Sequence, residues 1–248
     1  MLTEKRYELI LDLLEDRKTI TVLELKDLLG TSESTIRRDL SALDQAGKLT
    51  KVFGGAVALE NTFSTYEPSV AQKEGIRIDE KKRIARLAAS LILPESFVYL
   101  DAGTTTGYML DYIAERSAVY VTNAVSHAKR LAATGFRVLL IGGELKGVTE
   151  AVIGTQAILS LQDFHFTRAF FGANGISKKE GFTTPDLNEA LVKKTAFQQT
   201  QKAYVLADAS KFGNVSSVTF APFAYAEILT DQKPFGDFLE SKNIRVVP

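Results

Sequence analysis

The feature that most constrains the fold is a series of short apolar runs in the C-terminal two thirds of the chain. They lie at residues 97–100, 119–122, 138–141, 169–171, 203–207, 228–229 and 244–247. Most are separated by segments of helical length, and residues 79–93 form a further amphipathic helix that ends before Pro94. Buried parallel strands joined by helices give this pattern. The sequence therefore predicts a mostly parallel α/β sheet whose ligands bind beyond the carboxyl ends of its strands.

The first of these strand ends carries the sequence D-A-G-T-T-T-G, residues 101–107. Glycine lets the backbone approach an anion, and threonine hydroxyls at the start of a helix add to its free N–H groups, which favours phosphate. A simple cap between strand and helix would use the same residues. A P-loop lysine and a G-x-G-x-x-G motif are both missing, so nucleotide binding is not indicated.

Polar residues or glycines follow other strands as well. Thr122–Asn123 and Gly142–Gly143 are each compatible with an ordinary turn, although the glycine pair also permits a close backbone approach. Glu189 and Lys193 are spaced i, i+4, which as an alternative gives a surface ion pair of about 0.3 kcal/mol. Taken together, the polar residues at the strand ends are too many for packing alone to explain. This set comprises Asp101, Asn123, Asn174, Glu189, Asp208 and Lys211.

The N-terminal part has a different pattern of three helices and a hairpin. Residues 2–17 repeat apolar side chains at i, i+4, and Thr21 with Glu24 forms a capping box that opens a helix over 22–29. A third helix over 33–46 follows a tight turn and ends at Gly47. Residues 49–59 then form a hairpin around Gly54 and Gly55. This order predicts a winged helix-turn-helix.

The third helix buries one face and leaves the other polar. Ile36, Leu40 and Leu43 have the i, i+4, i+7 spacing of a buried stripe. The opposite face would be an ordinary solvated surface if it stood alone, but beside a wing it suits the major groove of DNA. The residues expected to contact operator DNA are Ser32, Ser34, Thr35, Arg37, Arg38, Ser41, Lys51, Gly54 and Gly55.

Charge and composition limit the remaining possibilities. The chain has 30 Lys and Arg against 30 Asp and Glu, and its first 60 residues carry nine basic and eleven acidic side chains, a sum of −2 that counts against DNA binding. Several cations are nevertheless concentrated on the third helix and the segment after it, so we expect weak, salt-dependent attraction to DNA. There is no cysteine and there are two histidines, so neither a metal site nor a cofactor is expected. No apolar run is long enough to cross a membrane, and we expect a soluble, cytoplasmic protein.

Residues 1–57, with S-T-I-R-R-D-L, L-x-x-x-G-K-L and the Gly-Gly-Ala of the wing, resemble the N-terminal domain of the DeoR family of bacterial sugar-metabolism repressors. The motifs D-A-G-T-T-T, V-T-N, G-G-E-L, F-F-G-A-N-G-I, E-A-L-V-K and D-A-S-K-F-G stand in the order of that family's sensor domain, which is similar in fold to ribose-5-phosphate isomerase. Phe53 departs from the family, whose members usually carry histidine there, so a wing contact is expected to be lost or altered. The domains implied are 1–58 for DNA binding, 59–78 as a linker and 79–248 for effector binding and oligomerisation.

The resemblance also implies ligands and roles. Within the family, the chain looks most like the fructose-operon repressors of Gram-positive bacteria, whose effector is fructose 1-phosphate. Phosphate would be held by Gly103, Thr104, Thr105 and Thr106. The sugar end would be lined by Asp101, Asn123, Asn174, Glu189, Lys193, Asp208 and Lys211, with Gly142 and Gly143 close by.

The leading hypothesis is a sugar-operon repressor that binds operator DNA as a dimer or tetramer and is released by a phosphorylated sugar. A competing hypothesis is a sugar-phosphate isomerase with Glu189 as general base and Lys211 steadying the enediolate. Against it, an isomerase gains nothing from a winged helix, and Asn174–Gly175 replaces the paired acids of the isomerase. A third possibility is a DNA-binding protein whose C-terminal half only oligomerises.

Overall fold

The computed structural model describes residues 2–17, 19–58, 69–234 and 236–247. They fall into two compact units. The first holds the described residues up to 58 together with Pro234 and 236–239, and the second holds the rest. None of the helices in these ranges is both long and apolar enough to cross a membrane.

The N-terminal unit has the predicted winged helix-turn-helix. Its elements are α1 Thr3–Arg17, β1 Thr19–Thr21, α2 Val22–Leu29, α3 Glu33–Gln45, β2 Leu49–Val52 and β3 Gly55–Ala58. The three strands form an antiparallel sheet in the order β1-β3-β2. Ile10, Leu25, Ile36 and Leu40 meet in one buried cluster, which joins the three helices to the sheet.

The sequence of residues 19–21 predicts a short, β-prone break between two helices, and in the structure these residues pair with β3 as a strand. Gly55 makes this pairing possible, because a Cβ atom at that position would lie 2.3 Å from the carbonyl oxygen of Ile20. The wing is therefore a three-stranded sheet rather than an isolated hairpin.

The second unit contains six helices and twelve strands within the described residues. The helices are α4 Val70–Glu74, α5 Ile78–Ser90, α6 Thr104–Met109, α7 Val125–Ala133, α8 Thr155–Gln162 and α9 Leu187–Gln198. The strands are β4 Phe97–Leu100, β5 Val119–Thr122, β6 Arg137–Leu140, β7 Glu144–Lys146, β8 Ala151–Ile153, β9 Phe166–Gly172, β10 Gly175–Ser177, β11 Gly181–Thr184, β12 Thr200–Leu206, β13 Val218–Ala221, β14 Glu227–Thr230 and β15 Ile244–Val246. Short 3-10 helices occur at Ala209–Lys211, Phe223–Tyr225 and Gly236–Glu240.

All seven predicted apolar runs are strands of one sheet. Its order is β15-β14-β12-β9-β4-β5-β6, and every neighbouring pair is parallel. Successive residues of β9 face opposite sides: Phe170 packs in one cluster with Ile84 of α5, whereas Phe171 contacts Phe197 of α9 and Phe220 of β13. The central strands are thus covered on both faces, and the carboxyl ends of the strands remain as the place for a ligand.

Five strands of the second unit were not predicted. β7 and β8 form an antiparallel hairpin, and β10, β11 and β13 form a small antiparallel sheet. Most of them mix polar residues or glycine with apolar ones, so no continuous apolar run marks them in the sequence.

The predicted linker, residues 59–78, lies only partly in the described part of the chain. Residues 59–68 fall outside it, whereas Val70–Glu74 form α4. The capping box of this helix consists of the Ser69 hydroxyl, which accepts from the Gln72 N–H, and the Gln72 side chain, which accepts from the Ser69 N–H. A single capped turn is too short to show a period, which is why the sequence pattern resembled a linker. The domain boundaries themselves stay a prediction.

Candidate functional site

The helix α3 presents the polar face that its sequence predicts. The Ser32 hydroxyl accepts a hydrogen bond from the Thr35 N–H at 3.3 Å and so begins the helix. Ile36 and Leu40 are fully buried, whereas Ser34, Arg37 and Arg38 are exposed. The side available to a DNA groove is therefore the side that carries the hydroxyl and guanidinium groups.

An ion pair on the inner side of α3 was not predicted from the sequence. Asp39 is buried, and its two carboxylate oxygens accept from Arg6 of α1 at 2.6 Å and 3.0 Å. The bond to Asp39 raises the pKa of Arg6. Such a two-point contact fixes the orientation of α3 on α1. The spacing of Asp39 three residues after Ile36 was the available signal, because it places the carboxylate toward the core.

The wing and α3 form one surface. Lys51 of β2 donates from its ammonium to the Ser41 hydroxyl at 2.6 Å, and its N–H donates to the Asp44 carboxylate at 2.9 Å. Phe53 is fully exposed next to Gly54, whose φ of 84° needs glycine. The nine residues predicted to contact DNA are exposed or half-buried, with the exception of Gly55, which is buried beneath β1 and shapes the wing. Their contact with DNA stays a prediction.

A cleft opens at the carboxyl ends of the parallel strands, as the topology requires. Eight of the thirteen predicted effector residues line it: Gly103, Thr104, Thr105, Asn174, Glu189, Lys193, Asp208 and Lys211. The other lining residues include Lys73 and Lys81, so four lysines converge on a loop rich in glycine and threonine. That combination is chemically suited to a phosphate group.

Lys81 was missed because it stands in the charged run K-K-R of an amphipathic helix. It is nevertheless buried on the inner side of α5, three residues before Ile84. Burial lowers the pKa of Lys81, the nearby carboxylate of Asp208 raises it, and the ammonium of Lys211 lowers it. An anion in this cleft would relieve the repulsion between the two lysines.

The buried pair Asp101–Lys193 forms the floor of the cleft. The Asp101 carboxylate accepts from the Lys193 ammonium and from the Gly172 N–H at 3.0 Å. Burial raises the pKa of Asp101, and the ammonium of Lys193 opposes that rise. The second carboxylate oxygen of Asp101 is buried and has no hydrogen-bond partner. Asp101 itself lies behind the cleft surface, and Lys193 reaches it.

Glu189 has its own cation. Its carboxylate accepts from the Lys146 ammonium at 3.1 Å and from the Thr149 hydroxyl, both close to the β7–β8 turn. Lys146 also pairs with Asp186 at 3.1 Å. Glu189 and Lys193 are both buried, so the alternative of a surface ion pair between them is wrong. Neither Lys146 nor Thr149 was predicted, because both lie in a hairpin that was itself not predicted.

Asp186 begins helix α9. Its carboxylate accepts from the Glu189 N–H at 2.9 Å. Burial alone would raise the pKa of Asp186, but that N–H and the ammonium of Lys146 hold it below its usual value. The cap and the ion pair together set the direction in which Glu189 enters the cleft.

Of four further predicted effector residues that do not line the cleft, three support it from behind. The Thr106 hydroxyl donates to the Asp101 carbonyl at 2.7 Å. The Asn123 amide oxygen accepts from the Tyr99 hydroxyl at 3.1 Å and from the Ala102 N–H at 2.9 Å. Gly143 is needed for packing, since a Cβ there would lie 2.5 Å from the Ile153 carbonyl oxygen. The fourth, Gly142, lies in open space next to it.

A second hollow adjoins the cleft and shares Gly103 and Thr104 with it. Its polar walls include Tyr108, His127 and Arg130. Burial lowers the pKa of His127 to about 4, with a smaller contribution from the charge of Arg130. The His127 Nδ1 atom has no hydrogen-bond partner, and Arg130 pairs with Asp111 at 2.7 Å. Among the described residues there is no group of side chains that could hold a metal ion.

Comparison with known proteins matches both parts of the chain to family models. Residues 6–62 match a DeoR-like helix-turn-helix domain, and residues 76–232 match a DeoR C-terminal sensor domain. The chain is 40% identical to the uncharacterized HTH-type transcriptional regulator FruR of Bacillus subtilis (strain 168), with 100% of this chain and 99% of that protein covered. It is 34% identical to the lactose phosphotransferase system repressor of Streptococcus mutans, covering 89% and 88%. Among solved structures it is similar to a ribose 5-phosphate isomerase of Methanocaldococcus jannaschii, at 14% identity and a TM-score of 0.41 over 54% of each chain.

Proposed function

The chain belongs to the DeoR family of transcriptional regulators, and we propose that it represses a fructose-utilisation operon and leaves its operator when fructose 1-phosphate binds. The observation that carries the effector proposal is the convergence of four lysines, a glycine-threonine loop and hydrogen-bonding carboxylates on one cleft. A phosphorylated sugar needs cations and N–H groups at one end and paired acceptors and donors at the other.

The phosphate end lies at the N-terminus of α6. The hydroxyls of Thr104 and Thr105 and the ammonium groups of Lys81 and Lys211 surround this part of the cleft. Charge-assisted hydrogen bonds from such groups are about twice as strong as neutral ones. An unphosphorylated sugar would leave these cations facing one another, so we expect the phosphate to be essential for binding.

The sugar end lies between Asn174, Glu189 and Lys193. A carboxylate accepts from hydroxyls, an ammonium donates to them, and an amide does both, so the three can distinguish hydroxyl positions. The choice of fructose among phosphorylated sugars is supported by the similarity to FruR.

The DNA-binding form is expected to be a dimer or tetramer. A single α3 spans too few base pairs to specify one site in a genome, and two-fold assemblies read paired half-sites. The effector must then bind more tightly to the form that does not hold DNA, since equal affinity would shift nothing.

Two measurements test this function. A thermal-shift panel should show stabilisation by fructose 1-phosphate, of about 2.7 kcal/mol at 100 times Kd, and little by fructose or inorganic phosphate. An operator duplex is then selected from a random-sequence library. The protein should dissociate from this duplex as fructose 1-phosphate is added, which is measured by fluorescence anisotropy. If no phosphorylated sugar raises Tm, the C-terminal unit only oligomerises and the effector proposal is wrong.

We propose no enzymatic activity, because the relatives named above are regulators of transcription. The check is incubation of the protein with ribose 5-phosphate or fructose 1-phosphate, followed by NMR. Turnover that disappears in Glu189→Gln would make the chain an isomerase instead.

A further inference from the structure

The short helix α4 is attached to the effector cleft at both of its ends. At its beginning, the Val70 N–H donates to the Val148 carbonyl at 3.2 Å. At its end, the Lys73 carbonyl accepts from the Lys81 ammonium, and the Glu74 carbonyl accepts from the Tyr108 hydroxyl at 3.2 Å. Lys81 lines the cleft itself. The position of α4 therefore depends on groups that also face a ligand.

The contact at the beginning of α4 comes from the turn between β7 and β8, residues 147–150, which we call the hairpin tip. Val148 supplies the carbonyl to Val70, and the next residue, Thr149, donates its hydroxyl to Glu189 in the cleft. The hairpin tip is thus bonded by its main chain to α4 and by a side chain to the carboxylate that would bind the sugar. The two contacts are made by adjacent residues.

A ligand bonds groups that make both contacts. A sugar hydroxyl that donates to Glu189 shares the carboxylate with Thr149, which weakens the Thr149 bond. A phosphate near Lys81 draws the ammonium away from the Lys73 carbonyl, because ammonium groups bond anions more strongly than neutral carbonyls. Binding at either end of the ligand therefore weakens the hold on α4.

We propose that α4 is a lever, by which we mean that its displacement transmits ligand binding in the cleft to the winged helix. The Val70–Val148 hydrogen bond, which we call the joint, is the contact through which the hairpin tip displaces α4. The helix follows residues 59–68, which connect it in sequence to β3 of the DNA-binding unit. A change in α4 is consequently passed along the chain toward α3. This inference rests on the proposed function, since it names how the effector of that function acts.

Proline at residue 70 tests the joint. Val70 also lines the cleft, so the comparison is made with a second substitution at the same residue. Val70 is the first residue of α4, where proline is tolerated because its N–H is not used within the helix. Ser69 has φ −62° and ψ 162°, the extended conformation that a residue before proline needs. Val70→Pro thus removes the N–H that donates to Val148. Val70→Ala is the matched control, because it loses the valine side chain and keeps the N–H.

The readout is the coupling between effector and DNA in the full chain. The Kd of fructose 1-phosphate is measured by calorimetry with and without the selected operator duplex, and the ratio of the two values is the coupling factor. Couplings between sites are typically about 5- to 150-fold. In Val70→Pro the coupling factor should fall at least about fivefold below that of Val70→Ala. The Kd without DNA should be no higher in Val70→Pro than in Val70→Ala, because the ligand no longer has to loosen the joint. Equal coupling factors in the two variants would overturn the lever.

Hydrogen exchange gives an independent measurement on the unmodified chain. Addition of fructose 1-phosphate should raise the exchange of the amides in residues 69–75 by about tenfold or more, because the Val70 N–H loses its acceptor. Unchanged exchange in this segment during ligand binding would overturn the lever even if Val70→Pro fails to fold. A wild-type chain that binds no fructose 1-phosphate refutes the proposed function and the lever together. If the wild type binds fructose 1-phosphate and releases DNA, but Val70→Pro and Val70→Ala have equal coupling factors, the lever alone is refuted.

Discussion

Lys193→Met should destabilise the second unit mainly by leaving the Asp101 carboxylate without its cation. The two side chains are 6% and 1% exposed, so water cannot replace the lost ammonium. Removing one partner of a buried ion pair costs about 3–5 kcal/mol. For a unit of this size, each kcal/mol lowers Tm by roughly 2–4 °C, so a fall of about 10 °C is expected at pH 7.5.

Two further measurements separate this cause from a simple packing loss. Burial already raises the pKa of Asp101, and loss of Lys193 should raise it further. The folded variant then binds a proton that the unfolded chain does not, so its deficit should shrink as the pH falls from 7.5 toward 5. Adding Asp101→Asn should restore most of the stability, since it removes the charge. A double variant as unstable as the sum of the single variants, with no dependence on pH, would refute the unpaired carboxylate as the cause.

Three other substitutions address the remaining parts of the molecule. Arg38→Ala should abolish operator binding in gel shifts and leave Tm nearly unchanged, because the side chain is exposed; retained binding would remove α3 from the DNA interface. Lys211→Ala should keep operator binding but blunt release by the sugar phosphate, and a normal release curve would exclude this lysine from the site. His127→Gln should remove a loss of stability that the wild type shows as the pH falls from about 6.5 toward 4, of up to about 1.4 kcal/mol per pH unit. Stability is lost on this side because the imidazole is protonated at a lower pH in the folded chain than in the unfolded chain. Parallel curves of Tm against pH for the wild type and the variant would contradict the prediction.

The strands of the large sheet were predictable because each is encoded locally. A run of buried apolar residues between helices has few alternatives, and all seven runs lie side by side in one parallel sheet. The five short strands were not predictable in the same way. β10, β11 and β13 pair across up to 40 residues of sequence, and their stability comes from neighbours such as Phe182 and Phe220 rather than from an intrinsic pattern.

The site was predictable in its residue types but not in their hydrogen bonds. Asn123 and Thr106 stand at strand ends as ligand-binding residues would, yet their polar atoms are used by Tyr99, Ala102 and Asp101. In a single sequence, an amide that binds a ligand cannot be distinguished from one that holds a loop. Lys81 and Lys146 were instead missed by the prediction, because contacts between distant parts of the chain bring them to the site.

The bonds already present in the cleft explain why ligand binding should be tied to rearrangement. Asp101 has Lys193, Glu189 has Lys146 and Thr149, and Lys81 has a carbonyl of α4. A sugar phosphate that bonds these groups shares or replaces their internal bonds, so part of its interaction energy is offset. This offset lowers the affinity that the same contacts would give in a cleft with unbonded groups, but it makes the binding free energy depend on whether the internal bonds hold. A regulator requires this dependence, because a ligand changes an equilibrium only through its unequal affinity for the two forms.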